Sequence, residues 1–149
     1  TLYENLTLLR TGITEEQVIP VAKAIGLLDY IQSNKLGLHQ MLDTYGRKLP
    51  ESVKAKMLLC RALLKQPKLL LIDDFRHHLE NNERIDIAAY LTDKSRPYSL
   101  IIRTSDEALM QQCDKVIVMH EGKIAAIGPY SKVKDTLVYK AYNSNKNSK

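Results

Sequence analysis

The stretch Pro67-Lys68-Leu69-Leu70-Leu71-Ile72-Asp73-Asp74 carries the strongest fold signal in the chain. Four consecutive apolar residues between a proline and two aspartates are typical of a strand buried on both faces of a parallel sheet. Nucleotide hydrolases also have an apolar strand that ends in an acid. This acid holds Mg²⁺ through water, and the next residue orients the attacking water. A structural alternative stays open, in which the two acids cap the following turn.

Downstream of this strand, helical and apolar patterns alternate. Helices are predicted over 82–92 and 106–112, and strands over 99–103 and 115–119. This alternation predicts right-handed crossovers and a parallel sheet of three strands. Residues 116–127 form a hairpin pattern that turns at Glu121-Gly122, and a last helix is predicted over 131–142.

Upstream, apolar residues recur at helical spacing. Residues 15–31 follow Thr14, a predicted N-cap, and their Pro20 and Gly26 leave open one helix or two short ones. A second helix is predicted over 51–65, and Pro50 is predicted to open it at the first helical position. We therefore predict a helical subdomain over 1–66, an α/β half-core over 67–142 and a flexible polar tail over 143–149.

Composition limits the class of protein. The 149 residues are 44% hydrophobic and 26% charged, which suits a globular domain, and apolar runs are far shorter than the roughly 18 residues of a membrane helix. Residues 132–149 hold five lysines against one acid, so the other residues carry only +1 of the net charge of +5. A solvated tail is favoured over a lipid- or nucleic-acid-binding arm. Cys60 and Cys113 lack CxxC spacing and indicate reduced thiols in a cytoplasmic protein.

Several segments follow one another in a characteristic order: Leu49-Pro50-Glu51-Ser52-Val53, then Arg61-Ala62-Leu63-Leu64, then residues 67–74. They resemble the ATP-binding-cassette (ABC) ATPases, in which LSGGQ opens a helix that ends in ARALL and P-x-hhhh-DE follows. Residues 1–6 resemble the family's T-I-x-E-N-I, and residues 113–124 resemble its C-D-x-I-x-V-L-x-x-G-x-I. The resemblance covers residues 1 to about 135 and is strongest for the exporter branch.

The resemblance implies a partial P-loop NTPase fold of the α/β class: a helical subdomain, then a mainly parallel sheet flanked by helices, and a C-terminal hairpin. It implies ATP and Mg²⁺ as ligands of the full-length protein. It also implies two partners, the transmembrane domain of an exporter and a second nucleotide-binding domain in a homo- or heterodimer, and no nucleic acid. The implied location is cytoplasmic, at the inner face of the cell membrane.

Site residues follow from the same match. Asp73 takes the position of the Mg²⁺-holding acid, Asp74 that of the catalytic base and Ser105 that of the switch histidine. The signature-equivalent residues, which face ATP on the partner cassette, are Leu49, Pro50, Glu51, Ser52 and Val53. The D-loop-equivalent residues are Leu79 and Glu80.

The departures from the family pattern bear on function. The chain has no G-K-[ST] phosphate loop, which we expect upstream of it. Pro50 offers neither a hydroxyl nor an N–H, and a Glu51 carboxylate ~4 Å from a phosphate would be repelled by about 4 kcal/mol at an effective dielectric of 20. Asp74 and Ser105 are shorter than the family's glutamate and histidine. We therefore expect no appreciable ATP hydrolysis by this chain alone.

Two functions stay open: a portion of an ATPase that drives export, and a catalytically degenerate cassette that serves as a binding, structural or regulatory module. We also expect an unpaired strand edge that favours self-association. A metal site built from Asp73, Asp74, His77 and His78 is a minor alternative, because consecutive histidines point in different directions.

Overall fold

The computed structural model describes residues 1–74, 78–136 and 139–140, and the chain divides into two units, Thr1–Arg103 and Thr104–Lys149. The predicted boundary near residue 66, between a helical subdomain and an α/β half-core, stays a prediction. The predicted tail, 143–149, lies outside the described residues.

The first unit begins with three short helices, α1 (Leu2–Thr7), α2 (Glu15–Ala24) and α3 (Leu28–Gln32). Thr14 is the N-cap of α2, as predicted. Of the two alternatives for residues 15–31, two helices are correct. The break falls at Gly26, whose φ of +68° lies in the left-handed region that favours glycine and ends helices.

Helix α4 (Glu51–Leu64) follows two 3₁₀ turns, Gly37–His39 and Thr44–Gly46. Pro50 is the N-cap of α4 and not its first helical residue, which corrects the prediction. Its ψ of 146° is extended, so that only its carbonyl takes part in the helix, accepting the Lys54 N–H at 3.0 Å.

Strand β1 (Leu69–Ile72) pairs in parallel with β2 (Ser99–Ile102), and α5 (Asn81–Thr92) lies between them in the chain. The prediction of a fully buried strand is wrong in part: Leu70 is buried, but Leu69 and Leu71 are 50% and 66% exposed. Side chains alternate between the two faces of a strand, and the face that carries Leu70 packs against the helices of this unit.

The core of the first unit joins the helices to the sheet. Its largest fully buried side chains come from α1, α2, α5 and the turn before α3. They are Leu2, Leu6, Val18, Ile25, Leu27, Ile87 and Leu91, with Cys60 from α4.

The second unit contains α6 (Glu107–Gln112), β3 (Val116–His120), β4 (Lys123–Gly128) and α7 (Tyr130–Val133). Strands β3 and β4 pair antiparallel, which confirms the hairpin, and Glu121 and Gly122 both have positive φ, as its two-residue turn requires. The expected third parallel strand is wrong for the part of the chain described, where β1 and β2 form one two-stranded sheet and β3 and β4 form another. The predicted last helix ends early, at Val133; residues 139–140 are helical again and Tyr142 is outside the described residues.

Candidate functional site

The start of α4 divides the signature-equivalent residues into two groups. Leu49 and Val53 are buried and belong to the core of the first unit. Pro50 and Glu51 are exposed and Ser52 is half-buried. Only the second group is available to a ligand outside the helix, because Leu49 and Val53 pack in the core.

Glu51 is an ionised acid in the first turn of α4. Its Oε1 accepts a hydrogen bond from Lys54 Nζ at 2.6 Å. This hydrogen bond and the lysine charge lower the pKa of Glu51, and the His78 charge lowers it further to a smaller extent. The negative charge predicted for Glu51 is therefore present, and Lys54 neutralises it locally.

The end of β1 carries the two acids. Asp73 is exposed, and its Oδ1 accepts the backbone N–H of Asp74 at 2.8 Å. The same oxygen accepts a hydrogen bond from Arg103 Nε, an ion pair that bridges the ends of β1 and β2. The hydrogen bond from Arg103 is the main cause that lowers the pKa of Asp73 below its usual value of 3.8.

Sequence reasoning did not single out Arg103. The available signal was a charged residue directly after an apolar strand, in Ile101-Ile102-Arg103. Its significance depends on the β1–β2 register, which the sequence did not specify.

The D-loop-equivalent residues also have structural roles. Leu79 is 4% exposed and packs in the core. Glu80 is the N-cap of α5: its side chain accepts the Glu83 N–H, and its own N–H donates to Glu83 Oε2 at 3.0 Å. This capping box explains why an acid is stable at this position.

Ser105 belongs to the second unit. It is half-buried and precedes Asp106, the N-cap of α6, whose Oδ1 accepts the N–H groups of Ala108 and Leu109. Its assignment to the switch-histidine position stays a prediction, as do the other site assignments.

No cluster of three or more His, Cys, Asp or Glu side chains suits a metal ion within residues 1–74, 78–136 and 139–140. His77, one of the four residues of the alternative metal site, lies outside those ranges. Burial raises the pKa of the Cys60 thiol to about 12.

The chain is similar in sequence to several proteins that are named as transporters or flippases. It is 28% identical over 133 residues to an "ATP-dependent lipid A-core flippase" of Neisseria meningitidis and 26% identical over 133 residues to an ABC transporter ATP-binding protein of Sinorhizobium fredii. It is 27% identical over 135 residues to an "ABC multidrug transporter" of Emericella nidulans. Each match covers 89% of this chain but only 21%, 23% and 10% of the relative. No family model matches the chain.

A solved structure confirms the fold class. The "bacterial Atm1-family ABC exporter with ATP bound" superimposes with a TM-score of 0.85 at 22% identity, covering 97% of this chain and 26% of that one. The chain therefore has part of the ABC ATPase fold, and its resemblance to the exporter branch is confirmed. Among the helices in the described ranges, none has the length and apolarity to cross a bilayer.

Proposed function

We propose that this chain is the C-terminal part of a nucleotide-binding domain that couples ATP binding and hydrolysis to export across a membrane. The observation that carries the proposal is the placement, within one unit, of a helix that begins with the signature-equivalent residues and a strand that ends in two acids. The names of the relatives and the exporter fold support it. The transported substrate is not part of the proposal.

Within this function each site residue has a proposed role. Glu51 and Ser52 at the start of α4 face the ATP that a second cassette holds, and Asp74 takes the position of the base that orients the attacking water. Ser105 stands where the γ-phosphate is sensed. Glu80 lies in the D-loop-equivalent turn, at the contact with the partner cassette.

The proposed partners are the transmembrane domain of an exporter and a second nucleotide-binding domain, in a homo- or heterodimer. The proposed location is the cytoplasmic face of the cell membrane. Nucleic acid is not a proposed partner, because residues 1–131 carry a net charge of only +1.

A second candidate function is a catalytically degenerate cassette that acts as a binding, structural or regulatory module. The start of α4 favours it. Pro50 offers no N–H donor there, and the ionised Glu51 next to it pairs with Lys54, so that neither side chain donates a hydrogen bond to a phosphate. In an asymmetric pair of cassettes, such a site can be weak while the other site hydrolyses ATP.

The test starts from the native gene product, captured with antibodies against this chain and identified by its mass, peptide map and membrane fractionation. A membrane-bound product well above 17.0 kDa with a G-K-[ST] loop upstream supports the exporter proposal. A free product of 17.0 kDa contradicts it. Magnesium-dependent ATP turnover is then measured for this product and its Asp74→Asn variant.

The two candidates predict different turnover. If this site hydrolyses ATP, Asp74→Asn abolishes a measurable rate. If it is a degenerate module, the wild-type rate does not depend on Asp74, and restoring the signature with Pro50→Ser and Glu51→Gly raises ATP turnover. The 149-residue chain alone is expected to show no turnover, and a magnesium-dependent rate would contradict that expectation.

A further inference from the structure

The β1–β2 register brings Arg103 next to Asp73. In this parallel pair Leu71 lies opposite Ile101 and Ile72 opposite Ile102. The next position on each strand is Asp73 and Arg103, and the Arg103 N–H extends the ladder by donating to the Ile72 carbonyl at 2.9 Å. Backbone pairing therefore places the two residues opposite each other, within reach of the hydrogen bond from Arg103 Nε to Asp73 Oδ1.

The surroundings of this ion pair are open. The side chains of Asp73 and Arg103 are 74% and 76% exposed. Together with Leu71, Ile72 and Ile101, they line a shallow cavity of about 490 Å³. Water and ions can reach the carboxylate, so that any cation that binds there must compete with Arg103.

A divalent cation does not fit these residues. Mg²⁺ in phosphate-handling sites is bound through one or two carboxylates together with substrate phosphates. Here the Oδ1 atom of Asp73 already accepts two hydrogen bonds, from Arg103 Nε and from the Asp74 N–H. The guanidinium neutralises the carboxylate and repels a second cation at the same group.

We propose that Arg103 is a built-in cation that takes the place of the divalent metal at Asp73 and suppresses Mg²⁺ binding at this edge of the sheet. The inference rests on the proposed function, because the assignment of Mg²⁺ to Asp73 comes from the resemblance to the ABC ATPases. It assigns a degenerate cassette one specific defect, weak Mg²⁺ binding at Asp73, which the substitution Arg103→Leu is expected to reverse.

The test is a Mg²⁺ titration of the isotopically labelled 149-residue chain, followed through the backbone amide signals of Asp73 and Asp74 by NMR. Arg103→Leu is expected to bind Mg²⁺ at least about fivefold more tightly than the wild type, because one neighbouring positive charge is removed. Adding Asp73→Asn to Arg103→Leu is expected to remove the gain. Mn²⁺, which broadens nearby signals, provides a second probe of the same site.

Control variants and a folding check distinguish an effect of the ion pair on Mg²⁺ affinity from effects of net charge or of misfolding. Arg10→Leu removes the same charge from the same unit and is expected to leave Mg²⁺ affinity unchanged, and Arg103→Lys is expected to stay close to the wild type. Amide signal dispersion shows whether Arg103→Leu is folded; if it is not, Arg103→Gln replaces it.

Equal Mg²⁺ affinity of wild type and the Arg103 variant, including no binding by either, would overturn the proposal. An equal gain in Arg10→Leu would also overturn it, since net charge would then explain the effect. Neither result touches the proposed function, which stands or fails on the mass, membrane fractionation and ATP turnover of the native product.

Discussion

Two long-range ion pairs of the first unit, Lys56–Glu83 and Asp73–Arg103, join partners 27 and 30 residues apart but lie in opposite environments. The side chains of Lys56 and Glu83 are only 7% and 30% exposed, and Lys56 Nζ also donates to the Gly26 carbonyl at 2.9 Å. Those of Asp73 and Arg103 are both about three-quarters exposed. The same chemistry thus occurs once inside the fold and once at its surface.

The difference separates a structural role from a ligand-facing one. Lys56 ties α4 to the turn before α3 and to the first turn of α5, and Glu83 also closes the capping box with Glu80. Such a pair cannot be separated without leaving a charge in a partly dry environment. Asp73 and Arg103 remain hydrated when they separate, so that their pairing can respond to a ligand.

The largest expected effect is on the buried pair. Lys56→Met is expected to lower the free energy of unfolding by about 3 kcal/mol, because the Glu83 carboxylate and the Gly26 carbonyl lose their common donor. Chemical denaturation monitored by circular dichroism measures it. Lys54→Met is the matched control: Lys54 lies two residues away on the same helix and pairs with the exposed Glu51. A similar loss in both variants would contradict the distinction.

The buried pair also predicts a pH dependence. Burial raises the pKa of Glu83, but the hydrogen bonds from Lys56 and from the Glu80 N–H, together with the Lys56 charge, outweigh this and lower it below 4.5. The ionised carboxylate therefore contributes stability that is fully present above pH 4.5 and is lost as the pH falls through the lowered value. We expect the stability difference between wild type and Glu83→Gln to shrink on acidification.

Denaturation curves at a series of pH values test this, with the same pair of proteins compared in a Lys56→Met background. There the pH-dependent difference should be smaller, because the main partner of Glu83 is absent. A difference that grows below pH 4.5 would show the opposite sign and contradict the assignment.

A smaller effect is expected when both members of the buried pair become apolar. Lys56→Met with Glu83→Leu should lie within about 1 kcal/mol of the wild type, because two desolvated charges are replaced by side chains that suit the core. Denaturation of the double and both single variants forms a double-mutant cycle. Additive losses would mean that the two residues act independently.

The smallest stability effect is expected at the exposed pair. Arg103→Leu should leave the denaturation midpoint unchanged within error, because solvent and salt screen the lost interaction. The same variant is the one expected to gain Mg²⁺ affinity, so that substitution at the exposed pair changes ion binding without changing stability. A marked loss of stability would assign Arg103 a structural role.

Local patterns were sufficient for most elements of the fold. The apolar run of β1, the Thr14 N-cap of α2 and the Glu121-Gly122 turn were predicted correctly, since each depends on neighbouring residues. The burial of β1 was predicted poorly. Whether Leu69 and Leu71 are covered depends on which elements pack against the sheet, and a short segment carries no information about that.

The candidate site shows the same limit more sharply. Motif order in the sequence identified the start of α4 and the acids after β1, and the exporter fold is confirmed. Tertiary structure alone set Arg103 beside Asp73. This outcome depends on the register of two strands whose residues are far apart in the chain. A linear sequence shows which residues are charged, but only the folded backbone brings two distant charged residues into contact.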